Sequence, residues 1–179
     1  MTDPIEGEIV PDAPRDPPVP GADGDPPIPI DGVLLLRLTP IVDHRGSLLP
    51  LELDGPFWEA PIVHAYQFTI RPGRIKGWGM HRLQADRYFA ANGSVRVALH
   101  DGRVSSPTHG RFAQFHFSEQ SPGLLFIPPG VWHADQNTGE RVAAIMNFPT
   151  RAFDPRAPDK YRIDPHTGSI PFDWTLRDG

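Results

Sequence analysis

Two short stretches concentrate the residue types that move protons or hold ions. The first runs Gly79-Met80-His81, continues to Asp86 and closes at Gly93. The second runs from Gly123 through Ile127, Pro128, Pro129 and Gly130 to His133, with Asn137 four residues on. An unperturbed histidine titrates at about 6.5, so at neutral pH it is a fair base and, once charged, a competent acid. His81 sits among Lys76, Arg82 and Arg87, with Gln84 and Asp86 nearby. On a strand facing the interior of a barrel, such a polar cluster marks a binding site rather than a core. A metal needs several deprotonated donors converging on one point, usually three or four from the protein. These stretches offer His81 and His133, with Asp86 as a possible third donor. His133 reads equally well as a hydrogen-bonded histidine of the wall and as a functional one.

The elements that must position these residues have the period of strands. Val33–Leu38, Leu48–Leu53, Ile62–Ile70, Arg87–Ala91, Ser94–Leu99, Arg111–Phe117, Leu124–Ile127 and Val142–Met146 are short runs, many of them β-branched or aromatic. Turn signals separate them: Asp43-His44-Arg45-Gly46, Asn92-Gly93, Asp101-Gly102 and Pro128-Pro129-Gly130. Val95, Val97 and Leu99 alternate with Arg96, Ala98 and His100, as a strand with one buried face requires. Ala91-Asn92-Gly93-Ser94 reads as a hairpin turn, because Asn-Gly takes the positive φ angles such turns need. No window shows a helical stripe. The expectation is an all-β sandwich or barrel.

A length of 179 residues allows one domain with a proper core. Residues 1–30 carry nine prolines and seven acids against the single Arg15, and they read as an extended tail. Residues 31–179 form the folded domain, with a polar, Pro-rich strap after Phe153. This part holds 16 basic and 15 acidic residues, so it has no basic field for nucleic acid. Cysteine is absent, which excludes disulfides and thiolate chemistry and fits a reducing compartment. The acidic, Pro-rich N-terminus and the lack of a long apolar run lead us to expect a cytoplasmic protein without membrane contact.

The two stretches resemble the paired cupin motifs, and the fold expected is therefore a cupin, a double-stranded β-helix or jelly-roll barrel. The second match is nearly complete; in the first, Gly79 stands where many cupins place a metal-ligating histidine. The chain further resembles the dTDP-4-dehydrorhamnose 3,5-epimerases, which are metal-free cupins. Five blocks carry that likeness over residues 32–155: Asp43-His44-Arg45-Gly46, Gln67, Trp78-Gly79-Met80-His81, Ser106-Pro107-Thr108-His109-Gly110, and Ile127 through His133.

The resemblance implies a nucleotide-sugar epimerase or isomerase that removes a proton beside a 4-keto group, with no metal and no cofactor. It implies His81 as base and Arg87 as the cation that steadies the enolate. It also implies Arg45, Gln67, Lys76, His133 and Asn147 as substrate-binding residues, Arg45 and Lys76 gripping the diphosphate. The family's acid Tyr falls near Met146–Phe148, where this chain has Asn147. The family's His-orienting Asp comes from a C-terminal segment, for which Asp164, Asp173 and Asp178 are the candidates here. A homodimer, with early strands of one subunit completing the other's sheet, is expected as well. The alternatives are a metal-dependent cupin, such as a dioxygenase or metallo-isomerase, and a sugar-binding cupin without chemistry.

Overall fold

In the computed structural model, residues 28–51 and 53–176 are described, and the acidic tail lies almost wholly outside them. Twelve strands and no helix make up these residues. They are β1 (Leu34–Arg37), β2 (Ile41–Asp43), β3 (Gly46–Leu48), β4 (Tyr66–Ile70), β5 (Ile75–Met80), β6 (Asp86–Asn92), β7 (Val95–Asp101), β8 (Phe112–Phe117), β9 (Gly123–Ile127), β10 (Val131–Asn137), β11 (Ala143–Asn147) and β12 (Tyr161–Arg162). One antiparallel sheet has the order β1-β9-β6-β11-β4 and the other β12-β5-β10-β7-β8, while β2 and β3 form a separate ribbon. Strands that pass back and forth between two facing sheets are the jelly-roll arrangement that a cupin requires.

The alternation expected of Val95–Leu99 holds. Val95, Val97 and Leu99 are buried between the sheets with Phe115, Leu125 and Ile145, each such side chain stabilising the fold by about 1.5–3 kcal/mol. Arg96 and Ala98 point to the other side of the sheet, but they are buried too, so β7 has two covered faces where the sequence led us to expect one. Residues after Phe153 do strap the outside: Ile170 is buried against Trp78, Ala98 and Ala134, with Phe172 and Trp174 packed over them. Inside, a large apolar cluster shares the barrel with buried polar residues, among them His81, Asp86, His133 and Asp135.

Several expectations need correcting. Asn92-Gly93 does form a tight connection, with Gly93 at φ 77°, and a side chain there would strike the backbone of Ala143. It joins no hairpin, however, because β6 and β7 belong to different sheets. Residues 49–51 are not a strand; Leu49 and Leu51 instead pack against the cluster of Leu36, Leu38, Phe57 and Leu124. Residues 28–30 belong to the domain rather than to the tail, since Ile30 is buried in the main core and Ile28 packs against it.

Candidate active site

The polar end of the barrel is built where β5, β6 and β10 meet. β6 sends alternate residues to opposite sides, so Asp86 and Tyr88 face the interior while Arg87 and Phe89 face away. β10 does the same with His133 and Asp135. β5 pairs with β10 through a register shift: His133 stands opposite Gly79, but Asp135 stands opposite Lys76. The extra residue on β5 re-aims its side chains, a common device beside functional sites. Gly77 (φ 140°) permits it, since a Cβ there would meet Ala134 at 2.4 Å.

His81, Asp86 and His133 converge, all three buried. Asp86 Oδ2 lies 3.5 Å from His81 Nε2 and 3.5 Å from His133 Nε2. Its other oxygen accepts hydrogen bonds from Gln84 Nε2 (3.0 Å) and Asn147 Nδ2 (2.9 Å). His81 Nδ1 is hydrogen-bonded to the backbone carbonyl of Asp159. A carbonyl only accepts, so Nδ1 carries the proton and Nε2 presents a lone pair in the neutral ring. Neither His81 Nε2 nor Asp86 Oδ2 has another partner. His133 Nδ1 faces the Val131 carbonyl at 3.3 Å. Burial holds the His133 imidazole well below its ordinary pKa, with nearby His81 acting in the same direction and Asp86 opposing, so this ring is neutral. Two ring lone pairs and a carboxylate oxygen thus face one point, a strongly proton-accepting arrangement.

The same three donors are the one group among the described residues that could hold a metal. Gly79 does not add a fourth. A side chain there would begin 3.3 Å from His133 Nε2, so Gly79 is the space in which His133 lies.

Two cavities open from this cluster. One, of about 410 Å³, is walled by His133, Tyr88, Asp135 and Lys76; the other, of about 440 Å³, by His81, Gln84 and Phe153. Tyr66 and Lys160 line both. Partial desolvation lowers the Lys160 pKa, with Asp86 opposing that shift and Arg162 adding to it. Asp159, the residue before Lys160, accepts hydrogen bonds from the backbone N–H groups of Arg82, Leu83 and Gln84 through its carboxylate, at 2.7–3.1 Å. The strap is therefore fastened to the turn that follows His81.

Of the residues expected at the site, His81, His133 and Asn147 meet through Asp86, and Lys76 lines the first cavity with His133. Arg87 does neither. Its guanidinium points out of the barrel, over the Trp58 ring (4.8 Å) and into the carbonyls of Ala60 (2.6 Å), Phe148 (2.7 Å) and Pro61 (3.1 Å). With Asp86 facing in, strand geometry sends Arg87 to the other side. For the same reason Gln67 is exposed, between the inward-facing Tyr66 and Phe68. Arg45 lies on the β2–β3 ribbon, exposed and paired with Asp43 at 2.6 Å, and lines neither cavity. The His-orienting carboxylate is replaced by the Asp159 carbonyl. Asp164 and Asp173 cap the N–H groups of His166 and Thr175 in their own turns, and Asp178 lies outside the described residues.

Residues 27–178 match the dTDP-4-dehydrorhamnose 3,5-epimerase family. The chain belongs to that family. It is accordingly a nucleotide-sugar epimerase or isomerase. It is 34% identical over 145 residues to the spore coat polysaccharide biosynthesis protein SpsL of Bacillus subtilis strain 168, covering 81% of this chain and 96% of that one. Among solved structures, a dTDP sugar isomerase from Desulfovibrio desulfuricans G20 superposes with a TM-score of 0.75 at 32% identity, covering 84% of this chain and 95% of that one. NovW of Streptomyces spheroides, a 4-keto-6-deoxy sugar epimerase, shares the fold with a TM-score of 0.73 at 21% identity, covering 88% and 83%.

Proposed function

We propose that this enzyme takes a dTDP-linked 4-keto sugar and removes the proton from the carbon beside the ketone, with His81 Nε2 as the base. The observation that carries the reading is the hydrogen bond from His81 Nδ1 to the Asp159 carbonyl, which leaves Nε2 unprotonated beside Asp86, on a side chain that lines the second cavity. As the C–H bond breaks, its electron pair moves to the ketone oxygen. Lys160, beside both cavities, supplies the cation that Arg87 does not, and Lys76 adds to the positive field. Return of the proton by His81 gives exchange; delivery of a proton by Tyr66, which lines the second cavity with His81, to the other face of that carbon would give inversion. The diphosphate falls to Lys76 and Arg162, which line the first cavity together.

The substrate class rests on the family, whose name specifies a dTDP-linked dehydro sugar. The test is hydrogen–deuterium exchange at the carbon next to the ketone, followed by proton NMR in deuterated water. Replacing His81 with Asn should slow exchange by a factor on the order of 10² or more, while calorimetric binding of the nucleotide sugar stays within about threefold. Exchange at the parental rate in that variant removes His81 as the base.

The convergence of His81, Asp86 and His133 favours a second reading, in which a divalent metal polarises the ketone. Exchange that survives exhaustive EDTA treatment supports the metal-free reading. Exchange lost to EDTA and restored by iron, nickel or manganese selects the other.

The reading includes a homodimer. The β2–β3 ribbon stands apart from both barrel sheets and exposes Val42 and Leu48, with Leu53, Ile62 and Val63 also exposed. A monomeric mass by light scattering at micromolar concentration would count against it. A cysteine-free chain suits a reducing compartment such as the cytoplasm.

A further inference from the structure

Each inversion leaves the enzyme out of balance at two places. His81 ends the step charged. Tyr66, having given its phenolic proton to the other face of the carbon, ends it as a phenolate. Before the next turnover His81 must lose a proton and Tyr66 must gain one. Burial, with Asp86 adding to it, pushes the Tyr66 pKa up to about 12, so the phenolate draws a proton strongly. A sugar seated in the cavity keeps bulk water from that oxygen, so a side chain has to carry the proton in.

His64 is placed to do so. Val63, Ala65 and Gln67 are exposed while His64, Tyr66 and Phe68 are partly covered, so His64 lies on the side of the chain that Tyr66 occupies. The two rings lie 5.6 Å apart between centroids and 43° from parallel, and both line the 440 Å³ cavity with His81. The remaining ionisable groups of that cavity are engaged. Asp159 accepts the N–H groups of the turn after His81, Asp154 accepts the N–H of Arg156, and Lys160 is assigned to the enolate oxygen. Arg151 keeps its protons at any physiological pH. An imidazole, by contrast, takes a proton at one nitrogen and releases another from the second near neutral pH. Half-buried, His64 meets both the solvent and the cavity.

We propose that His64 relays protons from bulk water to Tyr66 and so resets the enzyme after each inversion. The proposal rests on His81 as the base and Tyr66 as the donor, as read above. The imidazole gives the proton of one ring nitrogen to the phenolate oxygen, directly or through one water, and takes a proton from bulk water at its other nitrogen. An O–H bond forms on Tyr66 as the N–H bond of His64 breaks. His81 releases the proton it took to the same solvent, where it neutralises the hydroxide left behind. No proton is gained or lost over the cycle. His64 acts through Tyr66 and need not touch the sugar.

The experiment follows the full-length enzyme acting on dTDP-4-keto-6-deoxyglucose in deuterated water with dilute buffer. Proton NMR reads the deuterium exchanged beside the ketone and the inverted product separately. In His64→Ala the ratio of inverted product to exchanged deuterium should fall by a factor on the order of 10 or more. Millimolar imidazole, small enough to enter the space left, should restore it towards the parental value. His64→Gln should show the same fall, and melting curves identify either variant if it has not folded. Tyr66→Phe should not respond to imidazole. The parental ratio in a folded His64 variant overturns the proposal. So does a fall in His64→Ala that imidazole leaves untouched, since that loss would be one of packing. A parent that exchanges deuterium but never inverts removes Tyr66 as the donor, and the relay with it. A parent without exchange sinks the base reading, a failure distinct from the others.

Discussion

Asn147 and Tyr66 stand directly opposite each other on β11 and β4, and Asn147 Nδ2 donates to the Tyr66 hydroxyl oxygen at 2.9 Å. The same amide nitrogen donates to Asp86 at 2.9 Å. Both of its protons are thereby spent, and the Tyr66 oxygen is engaged as an acceptor. The phenolic proton is left for the cavity. The tyrosine that the chain lacks beside position 147 is thus matched by a phenol from the neighbouring strand. Burial, reinforced by Asp86, pushes the Tyr66 pKa up to about 12, so it is neutral at physiological pH and can donate.

Tyr66→Phe should therefore separate inversion from exchange. The ratio of inverted product to exchanged deuterium, read by NMR on a 4-keto sugar nucleotide, should fall by a factor on the order of 10². An unchanged ratio would assign the proton donor elsewhere.

Arg87 is a stability residue. Arg87→Ala strands the carbonyls of Ala60, Pro61 and Phe148 that it now joins, and should cost about 3 kcal/mol. Urea denaturation should show the midpoint falling. A variant as stable as the parent but catalytically dead would contradict the outward placement.

Asp135 should leave a signature in stability against pH. Its folded pKa is raised from 3.8 to about 8, so between those values the unfolded state gives up a proton that the folded state keeps. Its contribution is fully present at low pH and is lost as pH rises through that window. The groups that set it are Asp86 on β6, Lys76 on β5 and Lys160 on the strap, with Tyr88 and Tyr66 nearby. The melting temperature of Asp135→Asn should pull ahead of the parent's from pH 5 to pH 8, by about 4 °C or more. Parallel curves across that range would mean that Asp135 is ionised in the folded protein.

Asp159 is a positioning residue for His81. Asp159→Ala frees the N–H groups of Arg82, Leu83 and Gln84 and loosens the carbonyl that holds Nδ1. The exchange rate should fall about tenfold. Nitrogen-15 shifts of His81 should show both tautomers in place of one, and Asp159→Asn should restore part of each. Retention of the single tautomer in Asp159→Ala would show that the strap does not set it.

The barrel and half of its site were legible because they are written in side-chain period and motif. Val95, Val97 and Leu99 declared their strand, and His81 and His133 their motifs. β5 was harder to see, because Gly77 and Gly79 interrupt its alternation. Arg87 and Gln67 were drawn inward by the resemblance, although Asp86 and Tyr66 beside them already occupied the inner face. Asp135 could have been found two residues beyond His133 by that same rule. The hold on His81 could not, since it is made by a backbone carbonyl of a strap whose docking no local pattern announces.

That strap has a bearing on how the enzyme comes into being. Strands β1 to β11 precede Asp159 and Lys160 in the chain, so a ribosome lays down all of both sheets but β12 before it releases the segment that locks His81 and brings the ammonium. A nascent barrel therefore has most of its shape before it has its chemistry, and catalysis begins only when Asp159 has docked on the turn after His81 and Lys160 has reached the cavities.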